Sequence, residues 1–535
     1  MRARAGDQRR GLLFEGRSWA WSEVVAEMSR WGAWLRSLTG DGPPHVGVML
    51  DNVPEYLFAV GGSLLTGSVL IGLNSTRRGS ELAADVTHTD CRVILTDAAH
   101  RPLLDGLALG GARVVEVGDA DPADPAAPDN TVRRSPNDLA LLLFTAGSTG
   151  TPKAVRVTQG RVARSATALG FRADDVLYCA MPLFHGNALF SSIFPAMGSG
   201  ATIVLRRKFS ASSAMADIRA TSSTFFATIG RALAFILNTP SDPADRDHRL
   251  RVVLAPESSV ADIAAFEDRF GCKVVSGYGS SENAIIFVPK PGLPADALGA
   301  PLDGLDVAVV DSETGRECDP ARFDGSGHMV NAADAIGEIV GRNALERFEG
   351  YYNNPEATRQ RSRNGWYWSG DLGYRDDSGI FYFAGRTADW LRVDGENFAS
   401  APLERLFGRF EAATGVSVFG VPDERTVDDQ VMAVLEMADP AAFDPSRFDE
   451  FLSSQPDLGT KWAPRYVRVV ERLPVTATNK VDKQALRRER WRGAGKLFWR
   501  PARRQLLCPM GPGDVAGLET EIDRHRKTDR GTKGR

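Results

Sequence analysis

The stretch Phe144-Thr-Ala-Gly-Ser-Thr-Gly-Thr-Pro-Lys153 places two glycines, four hydroxyl residues and one lysine directly behind the apolar run Leu139–Phe144. Such a run predicts a buried strand, and a glycine-containing turn that leaves it can curl its backbone N–H groups around an anion. Pro152 precedes the lysine, so the spacing differs from the Gly-x-x-x-x-Gly-Lys-Ser/Thr pattern of a Walker-type loop. The stretch predicts a phosphate cradle of another kind, with a simple flexible loop as the alternative.

Length and composition indicate a protein with a large core. The chain has 535 residues, of which 43% are hydrophobic, and this length favours more than one domain. A net charge of −4 argues against a nucleic-acid binder, which usually has a concentrated basic surface. No apolar run approaches the roughly 18 residues of a membrane span. The scattered cysteines predict neither a disulfide framework nor a zinc site and suit a reducing cytoplasm.

The N-terminal part alternates helical and strand patterns. Apolar residues recur at helical spacing over residues 18–38, and a short strand pattern covers 46–50. A second helix and a second strand are predicted over 54–65 and 69–73. This order predicts the α/β class, with mostly parallel sheets covered by helices. A linker of Pro, Ala and Asp at 120–129 separates this unit from the strand that feeds the phosphate loop.

Two further predicted strands end in polar side chains. His185 closes the pattern Pro-Leu-Phe-His, where a structural histidine is the alternative to a functional one. The segment Val-Val-Ser-Gly-Tyr-Gly-Ser-Ser-Glu-Asn at 274–283 runs from a strand into a glycine-rich turn. In it, Tyr278 can stack on a purine, Ser281 can donate to a phosphate oxygen, and Glu282 is a hard oxygen ligand suited to Mg²⁺. An ordinary hairpin with an exposed acid is the alternative.

The C-terminal third adds a predicted hairpin and a loop that contains a lysine. Aromatic-rich strand patterns flank the turn Asp-Asp-Ser-Gly at 376–379, with Asp371 just before the hairpin and Arg386 at its far end. The carboxylate of Asp371 can accept both hydroxyls of a ribose. Further on, Lys480 follows Asn479, and asparagine tolerates the left-handed backbone conformation well. Without further context, solvated charges at these positions are an equally ordinary reading.

Together these segments resemble the signature motifs of the adenylate-forming superfamily, which includes acyl-CoA synthetases, luciferases and peptide-synthetase adenylation domains. The first loop has Ala146 where the superfamily usually has Ser, and Ala154 where it usually has Gly. The resemblance continues through the Glu282 turn, the Asp371 hairpin and the final lysine motif. It implies an α/β fold with a large N-terminal domain of mixed sheets flanked by helices and a small α+β C-terminal domain.

A finer resemblance is to the fatty-acid transport protein-like, or very-long-chain, branch of acyl-CoA ligases. It rests on Asn-Ser-Thr-Arg at 74–77, on Ala388 where many relatives have an Asp or Lys pivot, and on Gly395-Glu-Asn-Phe-Ala-Ser400. The implied organisation is an AMP-binding domain at 1–386, a small mobile domain at 387–492 and a polar tail at 493–535. The end of the tail, from Glu519, is expected to be disordered.

The resemblance implies an ATP-dependent ligase that joins a fatty or similarly apolar carboxylic acid to coenzyme A through acyl-AMP, with Mg²⁺. Lys480, Glu282 and His185 are the expected catalytic residues, and His185 is expected to position the carboxylate and not to act as a base. Glu282 and Thr145 are the expected Mg²⁺ ligands. The expected nucleotide and coenzyme A contacts are Thr145, Ala146, Gly147, Ser148, Thr149, Gly150, Lys153, Gly277, Tyr278, Ser281, Asp371, Arg386 and Gly395.

Two other functions stay open. Departures from the superfamily pattern at Ala146, Ala388, Asn479 and Ala255-Pro-Glu257 leave a non-catalytic nucleotide- or acyl-binding protein as one alternative. A ligase that loads the acyl group onto the pantetheine of a carrier protein is the other. A cytoplasmic location is expected, and peripheral contact with a membrane stays open for an enzyme with oily substrates. The sequence carries no signal for the identity of the acid or for the oligomeric state.

Overall fold

The computed structural model describes most of the chain. The described residues are 1–40, 44–118, 134–145, 152–256, 258, 260–290, 292–294, 297–325, 329–386, 390–393, 396–423, 429–455, 458, 461–476, 480–501 and 505–532. The linker predicted at 120–129 lies outside them.

A six-stranded sheet contains the strand that feeds the phosphate loop. Its strands are, in spatial order, Arg113–Glu116, Val93–Thr96, His45–Met49, Val69–Gly72, Leu139–Phe144 and Ala154–Thr158. Neighbouring strands are parallel except in the last pair, which is antiparallel. The strand predicted at Leu139–Phe144 is confirmed with both of its bounds, because an uninterrupted apolar run suits a strand that is covered on both faces.

A seven-stranded sheet shares a core with the first sheet. Its strands are, in spatial order, Lys273–Val275, Val252–Leu254, Phe225–Ala227, Val176–Cys179, Thr202–Leu205, Arg10–Phe14 and Arg17–Ala20. Only the last pair is antiparallel. Apolar side chains from both sheets form one buried cluster with those of the first long helix. The prediction of mostly parallel sheets covered by helices is therefore confirmed.

Helices cover these two sheets. They are Trp21–Thr39, Pro54–Thr66, Gly79–His88, Gln159–Ala168, Gly186–Ala188, Phe194–Ser199, Ala211–Thr221, Gly230–Leu237 and Val260–Phe270, with a π-helical turn at Leu189–Ile193 and 3₁₀ turns at Arg2–Arg4 and Arg101–Leu103. The first two helices agree with the predicted ranges to within a few residues. They approach closely at Gly32 and Gly62, because a Cβ on Gly62 would lie 2.6 Å from the backbone nitrogen of Gly32.

An antiparallel sheet follows along the chain. Its strands are, in spatial order, Tyr278–Gly279, Ile286–Val288, Ala297–Pro301, Phe381–Arg386, Trp366–Arg375, Gly337–Gly341 and Val307–Val310, and Ser362–Arg363 pairs with Trp366–Arg375. The short helices Ala332–Ala335 and Pro355–Arg361 and a 3₁₀ turn at Leu345–Arg347 belong to this region. The predicted hairpin is confirmed, since Arg375 pairs with Phe381 across its turn.

The position of Asp371 differs from the prediction. It was expected just before the hairpin, but it lies inside the first strand of the hairpin and pairs with Arg386 in the backbone ladder. That strand is longer than expected because its other edge pairs with Gly337–Gly341. Asp371 and Arg386 are therefore cross-strand neighbours, and they form the last pair at the open end of the hairpin ladder.

The C-terminal part forms its own sheet. The two-stranded ribbon Trp390–Val393 and Glu396–Ala399 precedes five strands in the spatial order Gly415–Pro422, Asp429–Glu436, Tyr466–Val470, Lys496–Trp499 and Cys508–Pro509. The helices of this part are Ser400–Phe407, Pro445–Ser454, Lys483–Glu489 and Pro512–Thr532, with 3₁₀ turns at Pro440–Ala442 and Arg490–Arg492. Two clusters of buried apolar side chains give this small sheet a core of its own.

The prediction of a polar tail at 493–535 is wrong for the residues of this range that the structure describes. Lys496–Trp499 and Cys508–Pro509 are strands of the small sheet. The helix Pro512–Thr532 runs through the part expected to be disordered, and its side chains Leu518 and Ile522 are buried in the cluster of Trp491. A few apolar side chains among many charged ones are enough to dock a helix on a folded sheet, which is a tertiary effect that composition does not contain.

Candidate active site

The phosphate loop begins and ends at described residues. The backbone N–H of Thr145 donates to the carbonyl of Lys153 over 3.2 Å, which closes the base of the loop. Burial lowers the pKa of the Lys153 ammonium, and the guanidinium of Arg361 lowers this pKa further, while the carboxylate of Glu282 opposes both effects. Lys153 is therefore near both groups. The predicted contacts between the two ends of the loop, Ala146, Gly147, Ser148, Thr149 and Gly150, lie outside the described residues.

Backbone pairing brings Tyr351 to the end of the phosphate loop. Val155 forms an antiparallel bridge with Tyr351, and the N–H of Tyr352 donates to the carbonyl of Ala154 over 2.8 Å. The phenol of Tyr351 then donates to Oε1 of the buried Glu282 over 2.7 Å. Burial and this carboxylate raise the pKa of Tyr351, so its hydroxyl stays protonated as a donor. One oxygen of Glu282 is thereby held in place beside the loop.

Tyr278 and Asp371 meet on the antiparallel sheet. The phenol of Tyr278 donates to Oδ2 of Asp371 over 2.6 Å, and the backbone N–H of Asp371 donates to Oγ of Ser369 over 3.0 Å. Burial and the Asp371 carboxylate raise the pKa of Tyr278 well above its ordinary value. The two predicted nucleotide contacts are thus coupled by a hydrogen bond that orients the carboxylate. The side chain of Arg386 lies outside the described part of the structure.

The loop that carries His185 is held by a residue that the sequence analysis missed. Asn52 is buried after a strand of the first sheet, and its Oδ1 accepts from the N–H of Leu183 over 2.9 Å. Its amide also donates to the carbonyl of Met181 over 2.8 Å. His185 follows as the N-cap residue of the helix Gly186–Ala188. The available signal for Asn52 is a polar residue shortly after the apolar strand pattern at 46–50.

Lys480 acts electrostatically on His185, although the two residues are far apart in the sequence. Burial lowers the pKa of His185 to about 4, and the positive charge of Lys480 contributes to this shift. Within the described ranges, the buried Nε2 of His185 has no hydrogen-bond partner. A neutral imidazole at neutral pH fits a positioning role and not that of a base. The lysine loop is closed by the N–H of Thr476, which donates to the carbonyl of Lys480 over 2.7 Å.

Two arginines that the sequence analysis did not single out also belong to this region. Nη2 of Arg161 donates to the carbonyl of Ser281 over 2.5 Å. Burial lowers the pKa of Arg161 to about 10, although nearby carboxylates that include Glu282 oppose this shift. Nη1 of Arg361 donates to the carbonyl of Trp368 over 3.2 Å. A single arginine on a helix has no distinctive signal in a sequence, because most such side chains are solvated.

The remaining predicted positions are only partly described. Gly277 lies between the strands Lys273–Val275 and Tyr278–Gly279. Glu257, Ala388, Asp389, Gly395 and Asn479 lie outside the described residues.

The profile of the family described as AMP-binding enzyme matches residues 2–352. This match covers more than half of the chain and includes the phosphate loop, His185, Glu282 and Tyr351. The chain belongs to the AMP-binding enzyme family.

Curated relatives and solved structures agree with this assignment. This AMP-binding enzyme is 46% identical over 537 residues to the steroid-22-oyl-CoA synthetase of Rhodococcus jostii strain RHA1, a match that covers 98% of the chain and 96% of the relative. It is 41% identical over 492 residues to the medium/long-chain-fatty-acid–CoA ligase FadD17 of Mycobacterium tuberculosis, covering 90% and 93%. The fold matches the crystal structure of ATP-bound MatB from Rhodopseudomonas palustris with a TM-score of 0.79, 23% identity and coverage of 90% and 96%.

These comparisons confirm several predictions for this AMP-binding enzyme. The adenylate-forming superfamily and the fold with a large N-terminal and a smaller C-terminal part are confirmed. The relatives support ATP-dependent acyl-CoA ligase activity, with ATP and coenzyme A as substrates. The fatty-acid transport protein-like branch stays a prediction. Among the helices that the structure describes, no helix combines the length and the apolar character needed to cross a bilayer.

Proposed function

We propose that this enzyme activates a large apolar carboxylic acid as acyl-AMP and transfers the acyl group to coenzyme A. The proposed acids are steroid side-chain acids and medium- to long-chain fatty acids, because the relatives at 46% and 41% identity are named for these two classes. The hydrogen bond of 2.6 Å from Tyr278 to Asp371 is the observation that carries the proposal, because it joins two predicted nucleotide contacts from separate motifs of the chain. The charge of Lys480 also contributes to the lowered pKa of His185, which supports a common site for these two predicted catalytic residues.

In the first half-reaction, the carboxylate attacks the α-phosphorus of ATP and pyrophosphate leaves. Lys480, beside the neutral imidazole of His185, counters the repulsion between the carboxylate and the α-phosphate. Lys153 holds the phosphates that leave, and Asp371, oriented by Tyr278, accepts the ribose hydroxyls. Holding two anions in a reactive geometry can lower a barrier by roughly 7–11 kcal/mol, so positioning is the main task of these side chains.

Glu282 and Thr145 are the proposed ligands of Mg²⁺. In nucleotide sites, Mg²⁺ typically takes one or two protein carboxylates together with phosphates and waters. A single buried carboxylate with one oxygen oriented by Tyr351 fits this donor set. In the described part of the chain, no cluster of three or more His, Cys, Asp or Glu forms a self-contained metal site. When bound, Mg²⁺ would neutralise charge on the phosphates.

In the second half-reaction, the thiol of coenzyme A displaces AMP. We assign the motion between the half-reactions to a small domain that begins at 387 and rotates about the segment after Arg386, against an N-terminal domain at 1–386. The rotation would exchange Lys480 for Gly395, where the absence of a side chain lets a pantetheine arm approach the backbone. The strands Lys496–Trp499 and Cys508–Pro509 would move with this domain, because they belong to its sheet.

The test is acid-dependent ATP–pyrophosphate exchange, followed by thioester formation with a panel of steroid side-chain and fatty acids. Exchange and transfer to free coenzyme A are expected with members of the panel. Lys480→Gln should lower the rate of adenylate formation by about 10²–10³. Lys208→Gln is the matched control and should have no effect, since the Lys208 side chain is 75% exposed.

Two outcomes would contradict the proposal. If the folded enzyme shows no exchange with any acid of the panel, the assigned activation step is wrong. If acyl-AMP forms but the acyl group passes only to the pantetheine of a carrier protein, the assigned acceptor is wrong.

A further inference from the structure

The strand that carries Asp371 has a bulge at residues 369–371. These three residues lie opposite the single residue Ile339 of the neighbouring strand Gly337–Gly341. Gly370, in the middle of the bulge, has a φ of +71°, a conformation that glycine adopts without strain. Bulges redirect the side chains that they carry and are frequent beside active sites. The direction of the Asp371 side chain therefore depends on the contacts that fix this bulge.

The buried carboxylate of Glu338 holds the middle of the bulge. Its Oε1 accepts from the backbone N–H of Gly370 over 2.7 Å, and Glu338 is only 3% exposed. The bulge takes this N–H out of the regular pairing register, and a buried N–H needs another acceptor. The neighbouring strand thus supplies the acceptor through a side chain.

Two further side chains connect the fixed bulge to the Asp371 carboxylate. Oγ of Ser369 donates to the carbonyl of Ile339 over 2.6 Å and accepts from the N–H of Asp371 over 3.0 Å. At the carboxylate itself, the phenol of Tyr278 donates to Oδ2 over 2.6 Å. Glu338 and Ser369 therefore fix the backbone of the bulge, and Tyr278 orients the carboxylate that projects from it.

The surroundings of Glu338 make its bond to the bulge important. Burial raises the pKa of Glu338, and the nearby Asp371 carboxylate adds to this effect. The N–H of Gly370 and the guanidiniums of Arg363 and Arg361 oppose it. Nη2 of Arg363 lies 3.4 Å from Oε2, on the other oxygen of the carboxylate. A buried acid is unfavourable in a strand unless it makes hydrogen bonds, and the short bond to the bulge meets this need.

We propose that Glu338 is a positioning residue of this enzyme, which directs Asp371 toward the ribose of ATP by fixing the bulge. The role depends on the length of the side chain and not on its charge, because Oε1 must lie within hydrogen-bonding distance of the Gly370 N–H. This inference rests on the proposed function and extends it to the recognition of the ribose. Glu338 should accordingly control the discrimination between ribonucleotides and deoxyribonucleotides.

The experiment measures the preference of the enzyme for AMP over 2′-deoxy-AMP and 3′-deoxy-AMP by titration calorimetry. Losing a hydrogen bond to a charged group weakens binding by roughly ten- to a hundredfold, so the wild-type protein should bind the deoxy analogues less tightly by this factor. The ratio of the dissociation constants reports the contact between Asp371 and the ribose. A general structural defect weakens all three ligands equally and leaves the ratio unchanged.

Two variants separate the length of the Glu338 side chain from its charge. Glu338→Asp keeps the charge but is one methylene shorter, so its carboxylate should not reach Gly370, and the preference should fall by roughly tenfold. Glu338→Gln loses the charge but keeps the length and an acceptor oxygen, so it should retain most of the preference. Asp371→Ala should remove the preference, and Glu338→Asp in that background should not change the ratio further.

Glu317→Asp is the matched control. The ion pair of Glu317 with Arg342 is partly solvent-exposed, so shortening this acid should leave the preference for AMP unchanged. If Glu338→Asp does not fold, as judged by its thermal melt, Glu338→Leu decides by the same ratio, because leucine fills the site without an acceptor. A lost preference in that variant supports the inference, and an unchanged preference refutes it.

An unchanged ratio in Glu338→Asp would overturn the inference, whether or not binding of all three ligands weakens. A larger loss of preference in Glu338→Gln than in Glu338→Asp would also overturn it, because it would assign the role to charge. A wild-type enzyme that catalyses exchange without any preference for AMP would contradict the role of Asp371 and this inference with it. A wild-type protein that prefers AMP but shows no acid-dependent exchange would contradict the proposed function instead.

Discussion

An ion pair connects the small sheet to the large N-terminal part and should control the balance between the two half-reactions. Nη2 of Arg231, on the helix Gly230–Leu237, lies 2.9 Å from Oε2 of Glu436 at the end of the strand Asp429–Glu436. The same carboxylate oxygen accepts from the N–H of Leu473 over 2.7 Å. Because the charge of Lys480 acts on His185 in this arrangement, we assign the arrangement to adenylate formation, and the ion pair should stabilise it.

The perturbation is Arg231→Met, which keeps an apolar stem against the ring of Phe235 and removes the charge. The two side chains of the ion pair are 19% and 14% exposed, so the pair is better shielded than an ordinary surface pair. We call the arrangement in which this ion pair forms the closed arrangement. Loss of the pair should destabilise the closed arrangement by about 1–2 kcal/mol. This corresponds to a change of roughly 5- to 30-fold in the equilibrium between the two arrangements.

The assay measures each half-reaction separately. Single-turnover formation of acyl-AMP reports the closed arrangement, and thioester formation from added acyl-AMP reports the rotated one. Each rate scales with the population of its arrangement, so the ratio of the two rates should fall by the same roughly 5- to 30-fold. Arg207→Met is the control, because the Arg207–Glu15 pair is exposed and within the N-terminal part. If both half-reactions change equally, or neither changes, the reasoning is wrong.

Three further outcomes follow from the geometry. The folded-state pKa of His185 is about 4, below its ordinary 6.5, so the free energy of unfolding should fall by about 3 kcal/mol as the pH drops from 6.5 through 4. The urea unfolding midpoints at pH 7 and pH 4 should therefore differ less in His185→Gln than in the wild-type protein. Gly62→Ala should lower the thermal midpoint through a loss of about 1–3 kcal/mol, since its Cβ would meet the backbone of Gly32. Tyr351→Phe removes the phenol that donates to Oε1 of Glu282, so the Mg²⁺ concentration for half-maximal exchange should rise roughly tenfold. An unchanged Mg²⁺ requirement would show that Tyr351 does not contribute to the metal site.

Local patterns predict those parts of the fold whose cause is local. The strand Leu139–Phe144 and the helix Pro54–Thr66 agree closely with their apolar periodicity, and the turn at 376–379 joins the expected strands. The placement of Asp371 depends on a second pairing, with Gly337–Gly341, which no local pattern contains. The pairing of strands that are distant in the sequence could therefore not be predicted from local patterns.

The same limit explains which site residues the sequence analysis found. Motif positions such as Glu282 and Lys480 stand out because the resemblance marks them individually. Tyr351 has no such mark, and it reaches Glu282 because Val155 pairs with it across nearly two hundred residues of sequence. Asn52 also has no mark in the sequence, because its role is to hold the loop that follows a strand of the seven-stranded sheet. Residues that position others are recognised only once their neighbours in space are known.

The charge of Lys153 links the stability of the site to its proposed substrate. Burial and the guanidinium of Arg361 lower the pKa of the Lys153 ammonium, and the carboxylate of Glu282 opposes both effects. A polyphosphate bound at this position would favour the charged form of Lys153. A ligand that binds only the folded state stabilises that state in proportion to the logarithm of the ligand concentration. The thermal midpoint of the enzyme should therefore rise with the concentration of ATP.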